Sequence, residues 1–259
     1  MSLRADNLAL PQRLAGVSLT LNPGDLTAIV GPNGAGKSSL LACLAGLLVP
    51  HSGAVLLDGA PLGGLPPRVR ARRIGYLPQV PEIAWDVTVE TLVALGRLPW
   101  RGAPLHRPHA TCEADAAAIE EALGAMDLAK LRRRPVASLS GGERARALAA
   151  RVLAGEPGWL LADEPLASLD LAHAAALLAR FRHQAAQGRG VVIVLHDLAA
   201  AMNHADRVIV LERGAVAADG PPADALHADL VSRVWGIAAS WLGQPGARAL
   251  AVNAVDHQL

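Results

Sequence analysis

Cysteine is nearly absent, and the two that occur, Cys43 and Cys112, form neither a disulfide framework nor a metal-ligand pattern. A reducing compartment fits that usage. Excess charge is lacking too: 24 Lys and Arg stand against 23 Asp and Glu, a net charge of +1. Nucleic-acid binding needs clustered Lys and Arg, so this balance gives it no electrostatic basis. The basic runs Arg68–Arg73 and Arg132–Arg134 are short and are expected to be solvated faces. Long apolar runs are missing as well. Mean hydropathy is +0.29, yet no run approaches the ~18 residues that span a bilayer. Leu40–Val49 comes nearest and reads as a buried helix. The start, Met1-Ser-Leu-Arg, has no apolar signal core, so export is not expected. Any membrane role must run through a partner.

What is present suits a folded α/β protein. Hydrophobic residues are 52% and charged residues 18% of a 259-residue chain, enough for a substantial core in one large domain or two small ones. Short apolar strands alternate with helices, the pattern of a parallel sheet. Leu26–Val30 runs into a glycine-rich turn and a helix near Lys37. Trp159–Ala162 and Val191–Leu195 are near-continuous apolar runs, as in strands buried on both faces. They end abruptly in Asp163-Glu164 and His196-Asp197, and ligands of such sheets sit beyond the carboxyl ends of the strands. Leu3–Leu10, Val17–Leu21 and Gly53–Leu57 read as a small antiparallel sheet. Between about Val87 and Ala154 the sequence turns helical, as in Glu113–Met126 and Glu143–Leu153, and is expected to form an inserted subdomain (87–154). Leu98–Thr111 reads as a proline-rich surface loop, while Gly236–Leu259 is uninformative. The whole chain, 1–259, is expected to be one domain with a C-terminal extension from about 222.

Gly31-Pro-Asn-Gly-Ala-Gly-Lys-Ser38 completes the G-x-x-x-x-G-K-S/T phosphate loop between a strand and a helix. The glycines let backbone N–H groups converge on phosphate oxygens, and the helix N-terminus adds partial positive charge. Lys37 can bridge the β- and γ-phosphates, and Ser38 can ligate Mg²⁺. The expected nucleotide contacts are Gly31, Asn33, Gly34, Gly36, Lys37, Ser38 and Ser39. Asp163 suits the Mg²⁺ position of phosphate-loop enzymes. Glu164 lies past the strand end and can reach the attacking water, where a general base contributes on the order of 10²–10⁴ in rate.

Leu139-Ser140-Gly141-Gly142-Glu143 opens a further helix. Ser140 and Glu143 have capping-box spacing, which leaves two first-turn glycines unexplained at a cost of roughly 1 kcal/mol each. Close approach of a phosphate explains them, and a second anion site beside a complete phosphate loop is most useful across a dimer interface. Here the chain resembles the ATP-binding subunits of ABC transporters. Leu139–Glu143 looks like their signature motif, about twenty residues before the strand that ends in Asp163. Tyr76-Leu-Pro-Gln79 is similar to the Q-loop, Ser168-Leu-Asp170 to the D-loop, and His196 to the switch histidine; the likeness runs from Leu3 to Pro221.

That resemblance implies an ABC ATPase fold, ATP with Mg²⁺, and roles residue by residue. Gln79 would contact Mg²⁺ or the lytic water, and His196 would hold that water near Glu164. Ser140, Gly141 and Gly142 would meet the γ-phosphate held by a second copy, with Asp170 communicating across the dimer. Members of this family usually stack adenine on an upstream aromatic, but Leu8–Ala15 contains none and looks short. Tyr76 and Phe181, the only Tyr and Phe, lie elsewhere, so either Arg13 stacks on the base or apolar side chains suffice, and weakened discrimination between ATP and GTP is expected. Val93-Ala-Leu-Gly-Arg97 resembles a segment of ATPases serving iron-siderophore, haem and cobalamin importers. The partners so implied are a second copy, multi-span permease subunits and, indirectly, a solute-binding protein, with the chain peripheral on the cytoplasmic face of the plasma membrane. A soluble ABC ATPase, as in iron–sulfur cluster assembly, is the alternative. A metal site at His106, His109 and Cys112 is disfavoured, because no further ligands follow at metal spacing.

Overall fold

A computed structural model describes residues 2–79, 87–101, 113–167 and 169–253. The chain opens with strands β1 (Leu3–Leu10), β2 (Leu14–Leu21) and β3 (Leu26–Val30), followed by helix α1 (Lys37–Leu44). Strands β4 (Ser52–Leu57) and β5 (Ala60–Pro61) precede α2 (Pro67–Arg73) and β6 (Ile74–Leu77). Three helices come next, α3 (Val89–Ala94), α4 (Glu113–Ala125) and α5 (Gly141–Ala154). Alternation then resumes through β7 (Trp159–Asp163), α6 (Leu171–Ala186), β8 (Gly190–Val194), α7 (Leu198–His204), β9 (Arg207–Glu212) and β10 (Ala215–Gly220). Helices α8 (Pro222–Ala225) and α9 (Ala228–Trp235) lead to a hairpin of β11 (Ala238–Leu242) and β12 (Ala249–Asn253).

The main sheet has the order β10-β9-β3-β8-β7-β6, parallel from β9 to β6 with β10 antiparallel at one edge. Strands β3, β7 and β8 are buried at every position, because helices cover both faces. Successive side chains of a strand point to opposite faces, and the cores divide accordingly. Ile29, Leu161, Val192, Val194 and Ile209 pack on one side with α1 and the antiparallel sheet β2-β1-β4-β5. Ala28, Val30, Leu160, Ala162, Val191 and Ile193 pack on the other with α5 and α6. Helix α1 is thus held between two sheets by Leu40, Leu41 and Leu44.

Helices α3, α4 and α5 share buried Val93, Ile119, Leu123 and Leu148. Arg97, in a 3₁₀ turn at Leu95–Trp100, ties them together. Its Nε donates to Asp115 at 2.7 Å, and Nη1 donates to the Ala154 carbonyl and to Glu156. Arg97 and Asp115 are 4% and 6% exposed, so the pair is desolvated and each charge depends on the other. Burial pushes the Asp115 carboxyl up, but hydrogen bonds from Arg97 and Arg101 overcome it and hold the group below the usual carboxylate range.

Several sequence expectations need correction. The apolar run Leu40–Val49 is not one helix: α1 stops at Leu44, and Gly46 turns left-handed at φ 67°. The Gly46 and Leu47 amides there bond back to the Cys43 and Ala42 carbonyls, which satisfies the helix end and leaves Leu47 and Val49 exposed. The basic runs are not merely solvated. Arg72 donates to the Pro99 carbonyl with its guanidinium 4.6 Å from the Trp100 ring centroid, and Arg132 pairs with Glu90 and Glu120. Residues 98–100 of the expected loop are 3₁₀-helical and Arg101 bonds Asp115; 102–111, with His106 and His109, and Cys112 beyond it lie outside the described residues. The uninformative C-terminal stretch forms the hairpin, anchored by Trp241 Nε1 on the Leu226 carbonyl and by Asn203 on the Arg248 backbone. Among the described residues no helix is long and apolar enough to cross a membrane.

Arg97→Ala removes the buried partner of Asp115 and leaves it only the more exposed Arg101, so urea unfolding at neutral pH should register a loss of about 3 kcal/mol. The depressed Asp115 carboxyl stabilises the fold above its unfolded pKa, and that contribution is lost as pH falls through the lower folded value. Acid titration of stability should therefore drop below about pH 4 in the parent chain and less steeply in the variant.

Candidate functional site: a phosphate groove at the strand ends

Strands β6, β7 and β8 are neighbours and run parallel in register, so the residues just past them emerge side by side. Gln79 follows β6, Glu164 follows β7, and His196 follows β8. Glu164, from the middle strand, receives both neighbours. Gln79 Nε2 donates to its Oε2 at 2.5 Å, and His196 Nε2 lies 2.5 Å from its Oε1. The Glu164 backbone is left-handed at φ 48°, a conformation that costs a non-glycine residue on the order of 1 kcal/mol. That turn lets consecutive carboxylates diverge. Asp163 stays in the strand, 4% exposed, while Glu164 turns to the groove.

The groove encloses about 520 Å³ and is lined by Arg13, Asn33, Gly34, Ala35, Gly36, Lys37, Ser38, Ser39, Gln79, Glu164 and His196. Its floor is the turn between β3 and α1. Helix α1 has no side-chain cap and no acidic residue in its first turn, so its leading N–H groups are left for an anion. Gly36 sits at φ 97°, where a Cβ would lie 2.3 Å from the Arg13 carbonyl oxygen. The tight β1–β2 turn therefore wedges its backbone against the phosphate loop and carries Arg13 to the groove. Gly31 is needed for a different reason from phosphate contact: a Cβ there would strike the Leu211 carbonyl at 2.2 Å.

Lys37 is 6% exposed, and its ammonium donates to the Gly31 and Pro32 carbonyls at 2.8 and 3.0 Å. Burial pulls its pKa down, against the opposing charges of Glu164 and Asp163. Ser38 Oγ donates to Asp163 Oδ1 at 3.1 Å. Burial, with the Glu164 charge, raises the Asp163 carboxyl despite Ser38, Lys37 and Tyr76. This all-oxygen pair beside the phosphate loop fits Mg²⁺, which binds through one or two protein oxygens and the substrate phosphates. Among the described residues no group of three or more His, Cys, Asp or Glu could hold a metal by itself. Sequence reasoning assigns Tyr76 no role of its own, yet it lies beside Asp163, and burial, with the Asp163 charge, pushes the phenol up to about 12. The pairing of β6 with β7, Tyr76 opposite Leu161, is the signal that places it there.

Six predicted residues do not line this groove. Gly31 and Asp163 lie just behind it, bonded to Lys37 and Ser38, whereas Ser140, Gly141, Gly142 and Asp170 stand on other elements. Ser140 caps α5 in a full capping box, its Oγ accepting from the Glu143 amide at 3.3 Å while the Glu143 carboxylate accepts from the Ser140 amide at 2.8 Å. The Gly141 and Gly142 amides fall between those two, outside the box. Ser140 and Gly141 are exposed, Gly142 is buried, and Asp170 caps α6 by accepting from the His173 amide. Ser168 lies outside the described residues.

Sheet order, phosphate loop and carboxylate pair define a phosphate-loop nucleotide hydrolase. The comparisons with known proteins narrow this further. The ABC transporter family model matches residues 14–167, more than half of the chain. The hemin import ATP-binding protein HmuV of Rhodococcus jostii is 44% identical over 240 residues, covering 91% of this chain and 80% of that protein. Among solved structures, one described as a metal-chelate type ABC transporter in an inward-facing conformation superposes with TM-score 0.82 at 24% identity, covering 99% of this chain and 98% of that one. A dimeric bacterial ABC transporter cassette superposes with TM-score 0.70 at 26% identity, covering 85% and 98%. The chain belongs to the ABC transporter family, as an ATP-binding and ATP-hydrolysing subunit.

Lys37→Ala removes the groove's buried cation. Phosphate release should fall by at least about a hundredfold, the scale of losing one preorganised charge-stabilising donor, while circular dichroism stays that of the parent.

Proposed function

We propose that two copies of the chain clamp ATP and Mg²⁺ between them and that the cycle of clamping and release drives an importer of haem or a related iron chelate. The observation that carries the reading is the division of the predicted contacts. One copy's groove offers Lys37, Ser38, Gln79, Glu164 and His196, whereas Ser140, Gly141, Gly142 and Asp170 stand outside it. A triphosphate held in the groove of one copy is completed by the uncapped glycine amides and the Ser140 hydroxyl of the other. The dimeric cassette among the structural relatives supports that assembly, and the hemin-import relatives support the solute class. The permease subunits, a solute-binding protein reached through them, and a peripheral place on the cytoplasmic face of the membrane belong to the same proposal.

Within the closed pair, the α1 amides and Lys37 hold the phosphates. Ser38, Asp163 and Gln79 would hold Mg²⁺, which supplies charge neutralisation at the β- and γ-phosphates. Glu164 orients the attacking water and accepts its proton, and His196 keeps that carboxylate and the water aligned with the γ-phosphate. Since Gln79 and His196 both bond Glu164, a shift in the segment that follows β6 and carries Gln79 reaches the base directly. Arg13 stacks its planar guanidinium on the adenine. No base-reading hydrogen bond is invoked, which keeps purine selectivity low.

Glu164→Gln keeps the groove's shape and removes the base. Turnover should fall by about 10²–10⁴ while light scattering detects an ATP-dependent dimer; a species that stays monomeric at saturating ATP overturns the two-copy reading. In competition assays ATP and GTP should differ by less than about tenfold, below the ~1.4 kcal/mol that one base-reading hydrogen bond contributes. Affinity capture should bring down a multi-span permease. A soluble scaffold in its place would contradict the transport role.

A further inference from the structure

Gly142 has a neighbour that its place in the signature sequence does not suggest. A Cβ built on it would lie 2.3 Å from Cδ2, 2.5 Å from Cγ and 3.0 Å from Cβ of His173. The imidazole therefore rests on the bare Cα of the first turn of α5, and any larger residue at 142 would push it away. The other side of the same ring faces Asp170: Nδ1 is 2.7 Å from each carboxylate oxygen, and the His173 amide donates to Oδ1 at 2.8 Å. Hydrogen bonds from the His173 amide and ring hold the Asp170 carboxyl below the usual range, so it stays an acceptor. One side chain thus touches both elements that the two-copy reading assigns to the partner's nucleotide.

These elements lie side by side over one face of the main sheet. Helix α5 packs with α3, α4 and the β6 edge, whereas α6 packs on β8 and β3 through Leu177, Leu178 and Phe181. Further along, the same two helices are joined by a looser contact, in which Arg146 and Arg180 share Asp127 at 3.3 and 3.7 Å. That carboxylate is 79% exposed, so the contact is weakly binding. The His173 contact is short and lies at the leading ends of both helices, where the ring, 43% exposed, rests on Gly142 on one side and bonds Asp170 on the other.

We infer that His173 is a positioning residue that locks the N-terminus of α5 to that of α6, so that Ser140, Gly141, Gly142 and Asp170 meet a second copy as one rigid unit. The inference rests on the two-copy reading. It adds that the partner-facing half of the site is preorganised within each copy before the copies meet. Preorganisation lowers the ordering cost of association without adding a contact.

The test uses the full-length chain, with and without Glu164→Gln. His173→Ala should leave binding of a fluorescent ATP analogue to dilute, single copies unchanged, because the groove does not contain His173. In the Glu164→Gln background it should weaken ATP-dependent dimerisation by about tenfold, and in the parent it should lower kcat by a similar factor at unchanged KM. His173→Asn keeps an N–H donor for Asp170 near the Nδ1 position and should restore most of both losses, while His173→Leu keeps bulk but no donor and should not. Equal dimerisation by all three variants overturns the inference and leaves the two-copy reading intact. Equal loss of single-copy nucleotide binding and of dimerisation also overturns it, since that is what general loosening of the fold produces. Failure of Glu164→Gln alone to dimerise overturns both.

Discussion

The Gln79–Glu164–His196 side of the groove depends on three adjacent parallel strands ending at the same edge. Because β6, β7 and β8 are hydrogen-bonded neighbours in register, Gln79, Glu164 and His196 leave the sheet next to one another, and the central carboxylate is bonded from both sides. Parallel strands require crossover connections, and those crossovers are the helices that bury both faces of the sheet. The rigidity of the site and the size of the core therefore have one origin. The left-handed turn at Glu164 costs little against that framework, and it separates the carboxylate beside Ser38 from the carboxylate beside His196.

The phosphate loop is held by a second constraint, close backbone packing. Gly31 touches Leu211 of β9, and Gly36 touches Arg13 of the β1–β2 turn. The antiparallel sheet is thus more than a cover for α1. It delivers Arg13 to the groove and braces the loop from above. Incompleteness is the third feature. Cations and bases fill one wall, while the capped helix with two glycine amides stands apart, and in the two-copy proposal that separation makes association part of the chemistry.

Legibility in the sequence followed how local each cause was. Strands β3, β7 and β8 were readable because burial on both faces requires an unbroken apolar run, and the capping box at Ser140 was readable because it spans four residues. Leu40–Val49 misled because apolar character does not reveal a helix stop, which Gly46 imposes through its left-handed backbone. Arg72 and Arg132 looked like solvated charge because their partners, Trp100, Glu90 and Glu120, are distant in sequence. The second glycine of the signature has a cause the sequence hides: whatever phosphate it meets, it also seats the His173 ring.

The sequence by itself determined the chemistry: a phosphate loop after an apolar strand, a carboxylate pair after another, a histidine after a third, and a glycine-rich helix start. Each is specified by residue types within a few positions of one another, and local backbone geometry follows from local sequence. Only the tertiary structure decided which groups share a groove, that Glu164 bonds Gln79 and His196, that Tyr76 lies beside Asp163, and that His173 joins Asp170 to Gly142. Those contacts depend on strand order and helix packing, which are set by the summed burial of residues far apart in the chain rather than by any motif that contains them.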